Sequence, residues 1–236
     1  NTGLGGGAPA SAAVNESSQN SYEQALALWE AGGQPEENRS QAAQVIRTCL
    51  ADPEADPFNP WHLTLCGMGL RVAPPIPAGT RVLNLNMNPL TQLGELPESL
   101  ESLWVSGCLL AQFPALPPGL KRLEMSLMQS AALPALPATL TSLGAARCGL
   151  EGLPEAWPPH LSHLSLTGNN LTHVPPLPEA LTECYLNDNL LTQLPENYAV
   201  LTERRATINL AGNPLSPDSL QTIQSLRDGR DRQGSE

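Results

Sequence analysis

An α/β solenoid is the fold class this sequence predicts, and three observations predict it. A leucine pattern returns eight times at near-constant spacing, proline runs at roughly twice its ordinary frequency, and aromatic residues are scarce. The 236 residues contain 41 Leu and 24 Pro, but Phe, Trp and Tyr make up only 4%. Sandwiches and bundles draw on aromatic residues for their cores and accept few prolines. Leucine in such excess therefore needs a regular place to go. The run Leu63-Thr-Leu65-Cys-Gly-Met68-Gly-Leu70 shows that place, and it returns from Leu83, Leu103, Leu123, Leu143, Leu164, Cys184 and Ile208. The steps between copies are 20, 20, 20, 20, 21, 20 and 24 residues.

Each unit reads L-x-L-x-x-N-x-L-x-x-L-P-x-L-P-x-x-L, as in Leu164, Leu166, Asn169, Leu171, Val174, Pro175, Leu177, Pro178 and Leu181. This is a leucine-rich repeat at the short end of its length range. The elements follow in chain order. Residues 1–20, rich in Gly, Ala, Ser and Asn, are expected to be a disordered tail. Residues 21–62 form an N-terminal helical cap. Ser21-Tyr-Glu-Gln24 reads as a capping box, Tyr22, Leu26 and Trp29 share one helical face, and Gly32-Gly33 stops the helix. A second helix is expected from about Glu36 to Ala51, with Ala42, Val45, Ile46, Cys49 and Leu50 inward and Asp52-Pro53 ending it.

Residues 63–215 hold the eight units. In each, the alternating Leu-x-Leu segment is a short strand whose leucines face one way and whose intervening residues face the other. No unit can bury its own leucines, so stacked units share a continuous core and their strands form one parallel sheet. Twenty residues leave no room for a helix on the convex side. Pairs such as Pro114 and Pro117, or Pro134 and Pro137, favour extended backbone there. The Asn position exchanges hydrogen bonds with the backbone of adjoining turns. Asn88, Asn169, Asn189 and Asn213 keep it, whereas Met68, Cys108, Met128 and Cys148 predict a polar-poor ladder in the N-terminal half. Ser216 and Pro217 then open a short C-terminal capping helix over residues 216–228, with Leu220, Ile223 and Leu226 inward. Residues 229–236 are expected to be a tail.

Charge and cysteine usage exclude several function classes. The net charge is −11, and no segment is basic, which argues against nucleic acid. No run of about 18 apolar residues exists to span a bilayer. Five dispersed cysteines without a Cys-x-x-Cys pair fit a reducing compartment. Cys108 and Cys148 would sit about 10 Å apart, too far for a disulfide. His160, His163 and His173 lack a metal geometry, and no phosphate-cradling loop or nucleophile elbow is present. Neither a metal, a cofactor nor a catalytic residue is expected on this chain. Glu36-Glu37 and Arg204-Arg205 read as solvated charge.

Protein binding is what remains, and the concave face is where it belongs. Most residues between the strand leucines are small and polar, so the exceptions are the candidate contacts. Trp104 is expected to be exposed in mid-face, with Met87 and Leu127 on flanking strands. Arg122, Glu124, Arg147, His163 and Tyr185 continue the patch toward the C-terminal side.

The proline-rich 20-residue repeat resembles a known family. So do the helical pair with Trp29, Glu37-Asn38-Arg39, Cys49 and Leu50, and the last unit Asn209-Leu-Ala-Gly-Asn213-Pro214-Leu215-Ser216. Over roughly residues 21–228 the chain resembles the repeat domains of the IpaH-type secreted bacterial effectors, which are E3 ubiquitin ligases. The resemblance implies that the repeats select a host protein and restrain a following catalytic domain, in the host cytoplasm after type III secretion. It also implies a Cys-x-Asp catalytic motif, and none of the five cysteines here has that form. This chain is therefore expected to transfer no ubiquitin itself. Two further readings stand beside it: a stand-alone, non-enzymatic repeat effector that scaffolds host proteins, and an adhesion repeat, which the lack of disulfide-bonded caps disfavours.

Overall fold

Strict alternation within each unit produces a three-residue strand, and identical spacing puts every strand in register with the next. The structure, a computed structural model, describes residues 10–52, 61–129 and 132–234. Its strands are β1 (His62–Thr64), β2 (Val82–Asn84), β3 (Ser102–Trp104), β4 (Arg122–Glu124), β5 (Ser142–Gly144), β6 (His163–Ser165), β7 (Glu183–Tyr185) and β8 (Thr207–Asn209). They form one parallel sheet in sequence order. Leu63, Leu83, Leu103, Leu123, Leu143, Leu164, Cys184 and Ile208 pair in a single file along it. Those from Leu63 to Cys184 are buried, and the second inward position of each unit, Leu65, Leu85, Val105, Met125, Ala145, Leu166 and Leu186, joins them with Leu70, Leu90 and Leu171.

Among the described residues the convex side carries no helix through the first six units, and its prolines close each turn. The carbonyls of Pro77, Pro97, Pro117, Pro137, Pro158 and Pro178 each accept from the N–H three residues on, at 3.1–3.2 Å. That contact turns the chain back into the next strand. The seventh unit differs. Its 24-residue step accommodates a six-residue helix, α3 in chain order (Tyr198–Glu203), which sequence periodicity did not reveal. Tyr198 and Leu201 from it enter the core.

Both helical caps run longer than their sequence signals suggest. The first helix, α1, spans Ala10–Ala31, so the chain passes helically through Ser21 instead of starting there. The segment Ala10-Ser-Ala-Ala-Val14 contains nothing that breaks a helix. Residues 1–9 of the expected tail lie outside the described residues. Tyr22, Leu26 and Trp29 do share the inward face: Tyr22 Oη donates to Pro75 O at 2.6 Å and Trp29 Nε1 to Val72 O at 3.0 Å. The second helix, α2, spans Arg39–Ala51 and starts three residues later than expected. The last, α4, spans Pro217–Gln233, with the Ser216 side chain accepting from Ser219 N as its cap. It continues through much of the expected tail, where Arg230 and Arg232 in the final turn complement the helix dipole.

A charge reading is also corrected at the N-terminal cap. Glu37 is buried, not solvated. Its carboxylate accepts from Gln34 N at 2.7 Å and Arg71 N at 2.8 Å, and it pairs with Arg39, Nε to Oε2, at 3.1 Å. Arg39 in turn donates to Trp29 O and lies over the Trp29 ring, 4.9 Å from its centroid. The pair thus ties α1, the connection to α2 and the first repeat into one cap. Burial alone would raise the Glu37 pKa, but these hydrogen bonds outweigh it and hold the carboxyl below its usual range.

Candidate functional site: the strand face and its rim

Side chains that leave the strands away from the core form the concave face, and each column along it has its own chemistry. The ladder position behind the face is the most regular. Asn169 Nδ2 donates to Ala145 O and Leu166 O at 2.9 Å, while Oδ1 accepts from Cys148 N at 3.0 Å and Leu150 N at 3.1 Å. Asn88, between the replacements Met68 and Cys108, repeats this pattern with all four bonds at 2.8–3.1 Å. The N-terminal half is less polar-poor than expected. Cys108 Sγ donates to Leu85 O at 3.4 Å and Cys148 Sγ to Met125 O at 2.9 Å, so cysteine keeps part of the donor role of Asn.

A second ladder, missed in the sequence, runs on the concave side of the same units. Ser106 N donates to Asn86 Oδ1 at 2.8 Å, Ser126 N to Ser106 Oγ at 3.0 Å, and Ala146 N to Ser126 Oγ at 3.1 Å. These side chains read as generic small polar residues, yet they close the stack. The signal was available in the repetition of short acceptors, Asn86, Ser106 and Ser126, at one register position.

The mid-face candidates divide into a cluster and outliers. Trp104 ends β3 and is half-buried instead of exposed, because the Arg122 guanidinium lies over it at 4.4 Å from the ring centroid. Arg122 Nη2 and Nε donate to Glu124 Oε1 at 3.2 and 3.3 Å. Glu124 fits because its neighbour across the sheet is Gly144, where a β-carbon would overlap the carboxylate. The result is an aromatic plate, a stacked cation and a seated carboxylate, all preformed. His163 and Tyr185 do not belong to it. They stand on β6 and β7, three and four strands from Trp104, or about 14 and 19 Å at the usual strand spacing. The His163 ring instead meets Ser162 Oγ at 2.8 Å.

Met87, Leu127 and Arg147 occupy a different column, at the rim just before the ladder position. Every unit is left-handed here: Gly67, Met87, Gly107, Leu127, Arg147, Gly168, Asp188 and Gly212 have φ between 54° and 72°. A non-glycine residue in that conformation costs about 1–2 kcal/mol. Met87 is 63% exposed and Leu127 50%. Glycine often follows because the preceding side chain covers its place. A β-carbon at Gly107 would lie 2.6 Å from Met87 Sδ, and one at Gly168 would lie 2.9 Å from Arg147 Cγ.

None of the five thiols has the setting of a nucleophile. Burial pushes Cys108 up to about 11 and Cys184 up to about 12, and it raises Cys49, Cys66 and Cys148 as well. Among the described residues there is no group of His, Cys, Asp and Glu that could hold a metal, and no helix is long and apolar enough to cross a membrane.

Fold and face together define a leucine-rich-repeat domain of the protein-binding kind. No family model and no curated protein matches the sequence, but solved structures do. The leucine-rich-repeat domain of a Shigella effector is 31% identical with a TM-score of 0.77, covering 89% of this chain and 92% of that one. YopM, a leucine-rich effector protein from Yersinia pestis, is also 31% identical with a TM-score of 0.66; the match covers 82% of this chain and 60% of YopM. This chain belongs to the leucine-rich-repeat domains of bacterial effectors.

Proposed function

We propose that this domain captures a host protein on its concave face and is the substrate-recognition part of a secreted bacterial E3 ubiquitin ligase. The observation that carries the binding reading is the Trp104–Arg122–Glu124 cluster, preformed amid small polar side chains. A half-buried aromatic with an arginine stacked on it matches the Trp and Arg enrichment of interface hot spots. Rigid placement lowers the entropy lost on binding. In this reading the protein works in the host cytoplasm, and the repeats also restrain a C-terminal catalytic domain until the host protein arrives.

Trp104→Ala tests the face. Capture of the host protein should weaken more than tenfold while the circular dichroism spectrum and unfolding midpoint stay near those of the parent. Unchanged affinity in a titration would remove Trp104 from the reading. None of the five cysteines of this chain stands in a Cys-x-Asp motif, which favours a second reading, a stand-alone, non-enzymatic effector that scaffolds host proteins. What the gene encodes after Glu236 separates the two: about 300 further residues with a Cys-x-Asp motif support the ligase, and a stop codon supports the scaffold.

A further inference from the structure

Charge in the repeats is sorted by side, and the sorting bears on the chemistry of the partner; the inference rests on the protein-binding reading above. The chain as a whole carries −11. On the convex segments of the repeats, the exposed acids Glu95, Glu98, Glu151, Glu155, Glu179 and Glu196 are accompanied by one base, Arg71. The strand face and its rims invert that balance over the first five turns. Arg81 and Lys121 directly precede β2 and β4, Arg122 begins β4, and Arg147 stands on the opposite rim of the fifth turn. Against these four bases the same stretch holds two acids, Glu101 and Glu124. Turns six and seven change sign again, with Glu183 and Asp188 exposed on the face and rim and no Arg or Lys beside them. Mixing the few bases among the convex acids would relieve self-repulsion in a chain of this charge. The repeats do the opposite. Both acids of the basic half are already engaged: Glu124 accepts from Arg122, and Glu101 lies 3.7 Å from Lys121. The side chains of Arg81 and Arg147 pair with nothing among the described residues, and Nη1 of Arg122 is also unbonded.

We propose that the strand face takes an acidic segment of the partner protein over turns two to five, followed by a basic residue over turn seven. Charge complementarity selects this occupant. The free guanidiniums of Arg81 and Arg147 and the open edge of Arg122 suit carboxylates, which match the fork of an arginine. Arg81 and Arg122 are two turns apart, about 10 Å, and Arg147 is one turn further. Glu183 and Asp188 lie three turns beyond Arg122, about 14 Å. That interval exceeds the screening length of about 8 Å in physiological salt, so the two halves act on separate groups of the partner. The order of signs fixes the direction in which the partner crosses the face. The acidic convex side repels the same segment, which steers it to the strand side. A nucleic acid would also meet the cations, but its unbroken negative charge would then run onto Glu183 and Asp188. A protein segment that changes sign avoids that conflict.

A phage library of unconstrained peptides of about 16 residues, long enough to cross these turns, tests the proposal when panned against the whole chain. Enriched peptides should carry acids in one half and a base in the other. Arg81→Glu with Lys121→Glu should weaken them more than tenfold, chiefly through the association rate, and should flatten their salt dependence. The circular dichroism spectrum should not change, because both side chains are exposed. Glu183→Lys with Asp188→Asn should abolish the preference for the base and leave that for the acids. Glu95→Lys with Glu98→Lys, on the convex side, should leave affinity unchanged. No enrichment, or peptides indifferent to Arg81→Glu with Lys121→Glu, would overturn the proposal. Peptides without charge bias that are lost with Trp104→Ala would keep the face as a binding surface and overturn its charge assignment. Peptides with the expected bias that survive Trp104→Ala would support the charge assignment and remove Trp104 from the earlier reading. Single-stranded DNA that binds the chain as tightly as the enriched peptides would assign the cations to nucleic acid and overturn the proposal.

Discussion

Asn169→Ala should unlock the stack at its fifth and sixth turns. Asn169 is buried and serves four backbone groups: Ala145 O, Leu166 O, Cys148 N and Leu150 N. One of them survives the substitution, because Leu166 O also accepts from Asn189 Nδ2 at 2.9 Å. Three are stranded, and a stranded buried group costs about 1–3 kcal/mol. Partial entry of water brings the expected loss to about 4 kcal/mol, a large share of the roughly 5–15 kcal/mol that holds a typical domain. Asn169→Cys is the internal control. The natural cysteine at the preceding ladder position donates from Sγ to Met125 O, so a thiol at 169 should recover one bond and lose only about 2 kcal/mol. Urea denaturation followed by circular dichroism gives the magnitude. Hydrogen exchange at the Cys148 and Leu150 amides gives the location, since a repeat array can open locally. A loss under about 1 kcal/mol for Asn169→Ala, or equal losses for the two variants, would refute the ladder as a main determinant of cohesion.

Three further outcomes follow from the geometry. Gly144→Ala should evict the Glu124 carboxylate and loosen Arg122 from Trp104. Stability should move by less than about 1 kcal/mol, because an exposed pair contributes little and alanine suits a strand better than glycine, but host-protein capture should fall; unchanged capture would mean the seated carboxylate is irrelevant to binding. Glu37 should make the cap acid-sensitive. Its pKa is lowered in the folded state, so its contribution is complete above the unfolded value near 4.3 and is lost as pH falls through the lower folded value. Glu37→Gln should be less stable at neutral pH and should lose less on acidification, as read from unfolding midpoints between about pH 2 and pH 6. Finally, thiol labelling should rank by exposure. Cys66 should react first, and Cys108, Cys148 and Cys184 only on unfolding; prompt labelling of Cys184 in the native protein would contradict its packing.

Much of the proposed binding surface could be placed on the strand face from the sequence, but its state could not. Trp104, Arg122 and Glu124 fall at face positions by counting from the leucines, and the structure puts them there. That Arg122 covers Trp104 is a matter of rotamers across neighbouring turns, which no pattern within one unit encodes. Gly144 looks like a weak strand residue until Glu124 is seen filling its place. His163 and Tyr185 were grouped with the cluster by column alone, and strand spacing separates them from it.

The sequence by itself determined the period, the strands, the parallel order of the sheet, the buried leucine file and the Asn ladder. It could do so because a solenoid buries each unit only against its neighbours, so one repeated local rule describes the whole core. Tertiary structure decided the length of the caps, the burial of Glu37 with Arg39, the serine ladder and the left-handed rim with its overhanging side chains. Each of these depends on what a residue meets about twenty positions away, and that meeting exists only once the turns are stacked.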